Sequence, residues 1–231
     1  MKKTALVTIA SLFILSVVKA QISKGSTFLG GSIGYSTGSN ELTLPQQTTP
    51  TQENEQSSWT FRPQFGKAIA DNQIVGIFLN FFNSNSQQKN GANISEIEGS
   101  NYGGGIFYRR YYPFSQRFYL FGDAALGVSS SKQQITNDDG TVNYVASKNN
   151  GTNFSLALTP GLSFAATRKL FLEASLNDLL GIFYSTTEGN NYNAQGVVME
   201  TTEQTSFSAM ANANGFSNIS IGVRWILPSK K

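Results

Sequence analysis

Residues 152–164 read TNFSLALTPGLSF, and along this stretch large apolar residues or proline alternate with small or weakly polar residues. The large members are Phe154, Leu156, Leu158, Pro160, Leu162 and Phe164. A period of two predicts an extended strand with two unlike faces, because successive side chains of a strand point in opposite directions. The apolar face of such a strand covers either the core of a soluble protein or the acyl chains of a membrane.

The chain begins MKKTALVTIASLFILSVVKAQ, which has the parts of a secretory signal peptide. Lys2 and Lys3 form a basic start, an apolar stretch follows, and Val18-Lys19-Ala20 is similar to an A-x-A cleavage site. We expect residues 1–20 to be removed on export and residues 21–231 to form one outer-membrane domain. The alternative is a retained N-terminal membrane helix, for which the apolar stretch is short.

The nominal net charge of +3 belongs to this leader. Of the 17 basic residues three lie in the leader, which leaves 14 basic against 14 acidic residues in 21–231. A domain without net charge gives no reason to expect a nucleic-acid partner. Beyond Gln21 no apolar run is long enough for a spanning helix. If this part of the chain crosses a membrane, it must do so as closed β-structure.

Eight alternating segments are predicted to be strands. They lie near residues 25–37, 58–68, 73–83, 100–112, 117–130, 152–165, 169–184 and 206–227. Long polar connections alternate with short ones such as PFSQR (113–117) and ATRK (166–169). That asymmetry is typical of outer-membrane barrels, with long loops outside the cell and tight turns in the periplasm. The sequence therefore predicts an all-β fold, an eight-stranded antiparallel up-and-down transmembrane β-barrel with four long extracellular loops.

A soluble lipocalin-like barrel also has eight up-and-down strands, but three features disfavour it. The largest residues share one strand face, and the opposite face carries mainly Gly, Ser, Thr and Asn. The segments are longer than the usual strand of about 5–6 residues. Aromatic residues gather near predicted strand ends, around the PFSQR turn and at Trp225, as they do in interfacial girdles.

Three stretches carry a resemblance to a known family: FRPQFGKAIADNQIVG (61–76), RRYYPFSQRFYLFGDA (109–124) and NISIGVRWIL (218–227). They contain an aromatic-x-Pro-x-aromatic-Gly pattern, a short Asp-Asn turn, and Arg-Tyr-Tyr before the next turn. In these features the chain resembles the outer-membrane β-barrel domain proteins of Bacteroidota, within the broad OmpA-like transmembrane barrel group. The resemblance implies an eight-stranded barrel inserted by the outer-membrane assembly machinery. Barrels of that group often end on an aromatic residue, whereas this chain continues past Trp225.

If the large apolar residues face outward, the alternation places several charged side chains inside the barrel. These are Arg62, Asp123, Glu173 and Arg224, with one of Arg109 and Arg110, between which the alternation does not decide. A ring of eight strands is only wide enough for side chains to fill, and buried charges persist only when paired. We therefore predict that Arg62, Asp123, Glu173 and Arg224 form a structural charge network in the barrel interior.

Three positions conflict with regular strands. Pro63 and Pro160 lie inside predicted strands and cannot donate a ladder hydrogen bond, so a β-bulge is expected at each. Asp178 falls on the outward face of the seventh segment, where a charge at mid-depth is costly. A register slip at Asn177-Asp178, or a position at the outer interface, would remove this conflict.

The chain contains no histidine and no cysteine. Catalytic arrangements that use a histidine base and zinc sites of the usual nitrogen and sulfur ligands are therefore excluded. The segment NDDG (137–140) lacks the 12-residue spacing of a calcium loop and predicts an Asp-Gly turn. We expect no enzyme activity, no catalytic residues, no metal and no cofactor.

These observations predict a structural or surface-interaction protein of the outer membrane of a Gram-negative bacterium, with a filled interior and polar loops as its contact surface. The expected partners are outer-membrane lipid and, during biogenesis, periplasmic chaperones and the barrel-assembly machinery. We expect no nucleic-acid partner and a monomer. Two alternatives stay open: a narrow channel for small solutes, and a secreted soluble lipocalin-like barrel that binds an apolar ligand.

Overall fold

The computed structural model describes residues 22–42, 52–91, 93–138, 140–176, 179–211 and 219–228. The predicted signal peptide lies outside these residues. Within them the chain forms ten strands, and no helix there is long and apolar enough to cross a bilayer. The strands are β1 (Thr27–Leu42), β2 (Gln52–Ala70), β3 (Gln73–Asn90), β4 (Asn93–Pro113), β5 (Phe118–Asp138), β6 (Asn143–Ala165), β7 (Leu170–Leu176), β8 (Leu180–Tyr192), β9 (Val198–Ala211) and β10 (Ile219–Leu227).

The strand pairings return to their starting point and close the antiparallel sheet into a barrel. Strands β1 to β6 pair in chain order, β6 pairs with β7, β7 with β10, and β10 with β1. The β1–β10 ladder covers residues 27–33 of β1, while residues 34–42 of β1 pair only with β2 among the described residues. The barrel is therefore closed at the end that carries the short turns.

The ten strands replace the eight predicted segments because two of those segments are each divided. The seventh segment corresponds to β7 and β8, and the eighth to β9 and β10. Strand β6 pairs with both β7 and β8, where Gly161 faces Ser175 and Leu158 faces Leu180. Between these two pairs β6 advances by three residues and the facing chain by five, so the register shifts between β7 and β8. The predicted slip at residues 177–178 and the position of Asp178 lie outside the described residues.

The strands extend farther from the short turns than predicted. Strands β4 and β5 contain 21 residues each and β6 contains 23. Three of the predicted long loops are instead mostly paired strand, so that prediction is wrong for them, and the connection 43–51 lies outside the described residues. Polar side chains join across these ladders, since Ser185 Oγ lies 2.7 Å from Ser206 Oγ and Thr201 donates to Asn190 at 2.7 Å. A change from apolar to polar residues along this chain therefore does not mark the end of a strand.

The turns contain residues that tolerate a left-handed backbone. Asn72 has φ of 60° in the two-residue turn between β2 and β3, a conformation that Asn adopts more readily than most residues. At the NDDG segment Gly140 has φ of 83° and donates its N–H to Asp138 Oδ1 at 2.9 Å. Both features suit a turn at this glycine, and Asp139, the aspartate of the expected Asp-Gly turn, lies outside the described residues.

The two strand prolines differ in their consequences. Pro63 faces Gly31 in an unbroken register with β1, and the register with β3 is the same before and after it. The predicted bulge at Pro63 is wrong. The ladder with β3 skips Arg62 and Pro63 and resumes at Gln64 in the same register, so the strand accommodates the missing N–H without a bulge. Pro160 faces Gly122 of β5 without a shift. The change of register near Pro160 lies on the opposite side, toward β7 and β8.

Candidate functional site

The outer face of the barrel is covered by exposed large apolar side chains. Phe65 is 53% exposed, Leu158 45% and Ile221 66%, although all three lie in the middle of regular strands. On β6 this apolar face runs from Phe154 to Phe164, which is about 33 Å along a strand that rises about 3.3 Å per residue. With the usual strand tilt this corresponds to a band about 25 Å tall, the height of the apolar band of outer-membrane barrels.

Aromatic side chains border the band at both ends. The border on the side away from the short turns, here the upper belt, consists of Tyr35, Trp59, Phe81, Tyr102, Phe154, Tyr184 and Phe207. The lower belt consists of Tyr108, Tyr112, Phe114, Phe118 and Trp225. Rings on neighbouring strands approach each other, for example Phe154 and Tyr184 with centroids 6.3 Å apart. Two aromatic belts around an apolar band are typical of a membrane-spanning surface.

The lower interior is organised around Arg109, which is 1% exposed. Its Nε and Nη2 donate to the two carboxylate oxygens of Asp123, each at 2.5 Å. Its Nη1 donates to Glu173 Oε2 at 2.7 Å and to the Tyr111 hydroxyl at 3.1 Å. The face of the guanidinium lies over the Phe121 ring, with Cζ 4.3 Å from the centroid. One cation on β4 thus joins β5 and β7 through charge-assisted hydrogen bonds, which are the strongest kind.

Glu173 is the second centre of this network. It accepts a hydrogen bond from the Tyr111 hydroxyl at 2.5 Å, and Arg224 Nε lies 3.1 Å from its Oε2. Arg224 Nη1 also donates to the carbonyl oxygen of Gly31. We call Arg109, Tyr111, Asp123, Glu173 and Arg224 the plug. Its two cations and two carboxylates balance, which meets the condition under which buried charges are tolerated.

The structure separates the other predicted site residues from the plug. Arg62 lies higher in the interior, where its guanidinium is 4.0 Å from the centroid of Phe78. It lines the upper cavity, whereas the carboxylates of Asp123 and Glu173 pair with Arg109 and Arg224. Arg110 faces outward and lies over the Tyr112 ring at 5.1 Å. Of the two adjacent arginines, Arg109 is therefore the inward one.

Two members of the plug were missing from the predicted network. The predicted network does not choose between Arg109 and Arg110, although Ile106 and Tyr108 precede Arg109 on the outward face and indicate its orientation. The glycines at 103–105 obscure this alternation further back along the strand. Tyr111 shares the inward parity of Arg109, but a tyrosine beside a predicted turn also suits an interfacial belt. No signal in the sequence distinguished these two roles.

The upper interior is not filled. A cavity of about 970 Å³ begins at the level of Arg62, Phe78 and Ser220 and extends toward the distal end of the barrel. Its walls carry mainly Ser, Thr, Asn, Gln and Gly side chains, and its charged lining residues are Arg62 and Lys132. The expectation of a filled interior does not hold for the upper half, where small residues line the strands. Among the described residues, no group of three or more acidic side chains is placed to hold a metal ion.

Replacing Tyr111 with phenylalanine is expected to destabilise the barrel by about 1–3 kcal/mol, because Glu173 then loses a buried hydrogen-bond donor. The free energy of unfolding in urea measures this change. Tyr112→Phe is the matched control, since Tyr112 is the neighbouring outward tyrosine and is 51% exposed. Equal effects of the two substitutions would contradict the assigned role of the Tyr111 hydroxyl.

No family model matches this sequence, and no curated protein matches it. Solved structures of outer-membrane β-barrel proteins are similar to it in shape. OprG from Pseudomonas aeruginosa is 13% identical with a TM-score of 0.48, covering 89% of this chain and 97% of that protein. Neisserial surface protein A is 13% identical with a TM-score of 0.28, covering 87% and 99%. The translocator domain of the autotransporter NalP from Neisseria meningitidis is 12% identical with a TM-score of 0.35, covering 97% and 94%.

Proposed function

We propose that this chain is a structural or surface-interaction β-barrel of the outer membrane of a Gram-negative bacterium. The observation that carries this proposal is the apolar band between two aromatic belts on the outside of a closed antiparallel barrel. Lipid is the partner of that band. Periplasmic chaperones and the barrel-assembly machinery act on the chain during insertion, and the inserted barrel is a monomer without a nucleic-acid partner, cofactor or enzymatic role.

The membrane-spanning wall of the barrel has eight strand positions around its circumference. Strands β7 and β8 follow one another along β6, and β9 and β10 follow one another along β8 and β7. Each of these two pairs of strands therefore occupies one strand position in the wall, as one strand with a break. This count agrees with the eight-stranded barrels of the Bacteroidota outer-membrane group that the sequence resembles.

The orientation follows from the lengths of the connections. The short turns and both described chain ends face the periplasm, and the long hairpins project from the cell. Strand β6 is about 75 Å long at 3.3 Å per residue, so much of it lies beyond a band about 25 Å tall. Hydrogen bonds such as Asn85 to Glu96 at 3.0 Å and Asn149 to Gln133 at 3.1 Å link the projecting strands. A stiff polar surface held above the membrane suits contact with other molecules.

The soluble lipocalin-like alternative requires the large residues to face inward. The exposure of Phe65, Leu158 and Ile221 argues against it, because an apolar surface this extensive would cause aggregation in water. The channel alternative requires an open path through the lower interior. Arg109, Tyr111, Phe107 and Phe171 occupy that space and are each at most 2% exposed.

Fractionation and gel mobility test the membrane assignment. We expect the protein in the outer-membrane fraction, and we expect the unboiled protein to migrate differently from the boiled protein because the closed barrel resists detergent. A processed chain that remains monodisperse in buffer without detergent would contradict the proposal.

Planar-bilayer recording distinguishes a plugged barrel from a pore. We expect the inserted protein to produce no steady conductance above the lipid baseline, because the plug closes the lower interior. An empty outer-membrane extract prepared in the same way is the control for contaminating porins. Stable unitary currents that disappear when this gene product is omitted would favour the channel.

A further inference from the structure

Charged residues are segregated between the two ends of the barrel. Near the short turns the described residues include six cations, Lys24, Lys67, Arg110, Arg117, Arg168 and Lys169, and one carboxylate, Asp71. We call the six cations the basic rim. Beyond the upper belt the described residues include nine acids, Glu41, Glu53, Glu55, Glu96, Glu98, Asp138, Glu188, Glu200 and Glu203, and three lysines, Lys89, Lys132 and Lys148. The near-zero net charge of the domain therefore conceals a positive end and a negative end.

The basic rim is accessible from the membrane interface. Five of its six side chains are exposed and Arg117 is half-buried. None of them forms an ion pair with a carboxylate of the described chain within 4 Å. Within the fold the plug is self-neutral, so near the short turns the six cations of the rim exceed the single carboxylate, Asp71.

The rim lies next to the lower belt, where lipid headgroups meet a barrel. Trp225 of β10 faces Leu170 of β7, which directly follows Arg168 and Lys169. On the other side, Leu227 faces Thr27, which in turn faces Lys67. Cations thus lie on both sides of Trp225, at the start of the neighbouring β7 and on β2, which is one strand beyond β1. Long basic side chains in this position reach the headgroup layer while their stems remain against apolar surface.

We propose that the basic rim binds the phosphate groups of anionic phospholipids in the periplasmic leaflet. This inference rests on the proposed function, because it requires the barrel to lie in the membrane with its short turns in the periplasm. Each cation near an anionic headgroup layer contributes attraction that screens with salt. The acidic distal end offers no comparable attraction, so the preference is confined to one leaflet.

The chain contains two tryptophans, one in each belt, and they report on the two leaflets separately. In Trp59→Phe the remaining Trp225 senses the lower interface, and in Trp225→Phe the remaining Trp59 senses the upper interface. Each single-tryptophan barrel is inserted into vesicles of phosphatidylcholine mixed with phosphatidylglycerol. Bromine-labelled chains are placed on one lipid or the other, and fluorescence quenching gives the relative association of the two lipids at each tryptophan.

We expect phosphatidylglycerol to associate with the Trp225 side about fivefold more strongly than phosphatidylcholine, which corresponds to roughly one effective cation. At Trp59 the ratio is expected to be near one. In the triple variant Lys67→Gln, Arg168→Gln, Lys169→Gln the ratio at Trp225 should fall to near one. The matched control, Lys89→Gln, Lys132→Gln, Lys148→Gln, should leave it unchanged.

Equal ratios at the two tryptophans, or an unchanged ratio in the rim variant, would overturn the inference. If the rim variant does not insert, the salt dependence of the ratio in the Trp59→Phe barrel decides the question, because a preference that resists high salt does not come from these cations. Binding of the rim to purified peptidoglycan without any lipid preference would also overturn it. Failure of labelled phosphatidylcholine to quench either tryptophan would instead contradict the membrane assignment itself.

Discussion

Arg109→Ala is expected to destabilise the barrel by about 3–5 kcal/mol, the usual cost of removing one partner from a buried charge network. The carboxylates of Asp123 and Glu173 would remain within the barrel while losing the cation that contacts both of them at 2.5 and 2.7 Å. The free energy of unfolding, measured by urea titration of the barrel in neutral lipid vesicles, reports this loss. An unchanged slope of the titration would show that Arg109→Ala and the unsubstituted protein expose the same surface on unfolding.

Arg110→Ala is the matched control for this experiment. Arg110 is the next residue of the same strand, but it faces outward over Tyr112, so its removal is expected to change stability by only about 0.5 kcal/mol. Arg109→Lys should fall between the two, because lysine retains the charge and loses the two-pronged contact with Asp123. Equal losses for Arg109→Ala and Arg110→Ala would mean that the plug contributes nothing specific to stability.

Leu158→Arg is expected to destabilise the inserted barrel by about 2–4 kcal/mol, the cost of a lipid-facing arginine near the bilayer midplane. Leu158 lies in the middle of the apolar face of β6 and faces Ala124 on β5 and Leu180 on β8. The equilibrium between unfolded chain in urea and barrel inserted in vesicles measures this cost. The effect depends on lipid and is absent for an exposed leucine of a soluble barrel, where surface substitutions stay within about 0.5 kcal/mol.

Thr152→Arg is the matched control for depth. Thr152 is exposed on the same face of β6, beyond Phe154 of the upper belt, where an arginine costs about 0–1 kcal/mol. A large effect at Leu158 with a small one at Thr152 supports a lipid-facing band. If both substitutions leave stability unchanged and the variants stay soluble, the exterior of this barrel faces water.

The alternation of residue size was sufficient to orient most strands. Phe154, Leu156 and Leu158 share one face in the sequence, and all three are exposed on the outside of the barrel. The same alternation placed Asp123 and Glu173 inside, where each is at most 6% exposed. Orientation is readable because a strand has a fixed period of two, so one run of large residues determines every position along it.

The extents of the strands were not predictable in the same way. The segment that begins at Lys132 is polar, yet β5 continues to Asp138 because β4 and β6 supply partners for its backbone. Hydrophobicity reports whether a residue meets lipid or water, whereas pairing depends on a neighbouring strand that the local sequence does not reveal. Three of the segments predicted to be loops are therefore largely strands that project beyond the apolar band.

The amino-acid sequence by itself determined the antiparallel all-β class, the outward apolar face and the short-turn end, because each follows from a local period or a local turn. Only the tertiary structure decided that Arg109 contacts both Asp123 and Glu173, that Tyr111 completes the plug, and that Arg62 lines the open upper cavity. These contacts join residues as far apart as 64 positions along the chain. Their geometry depends on how the closed barrel brings inward-facing side chains from distant strands to the same height along its axis. No single stretch of sequence contains that information.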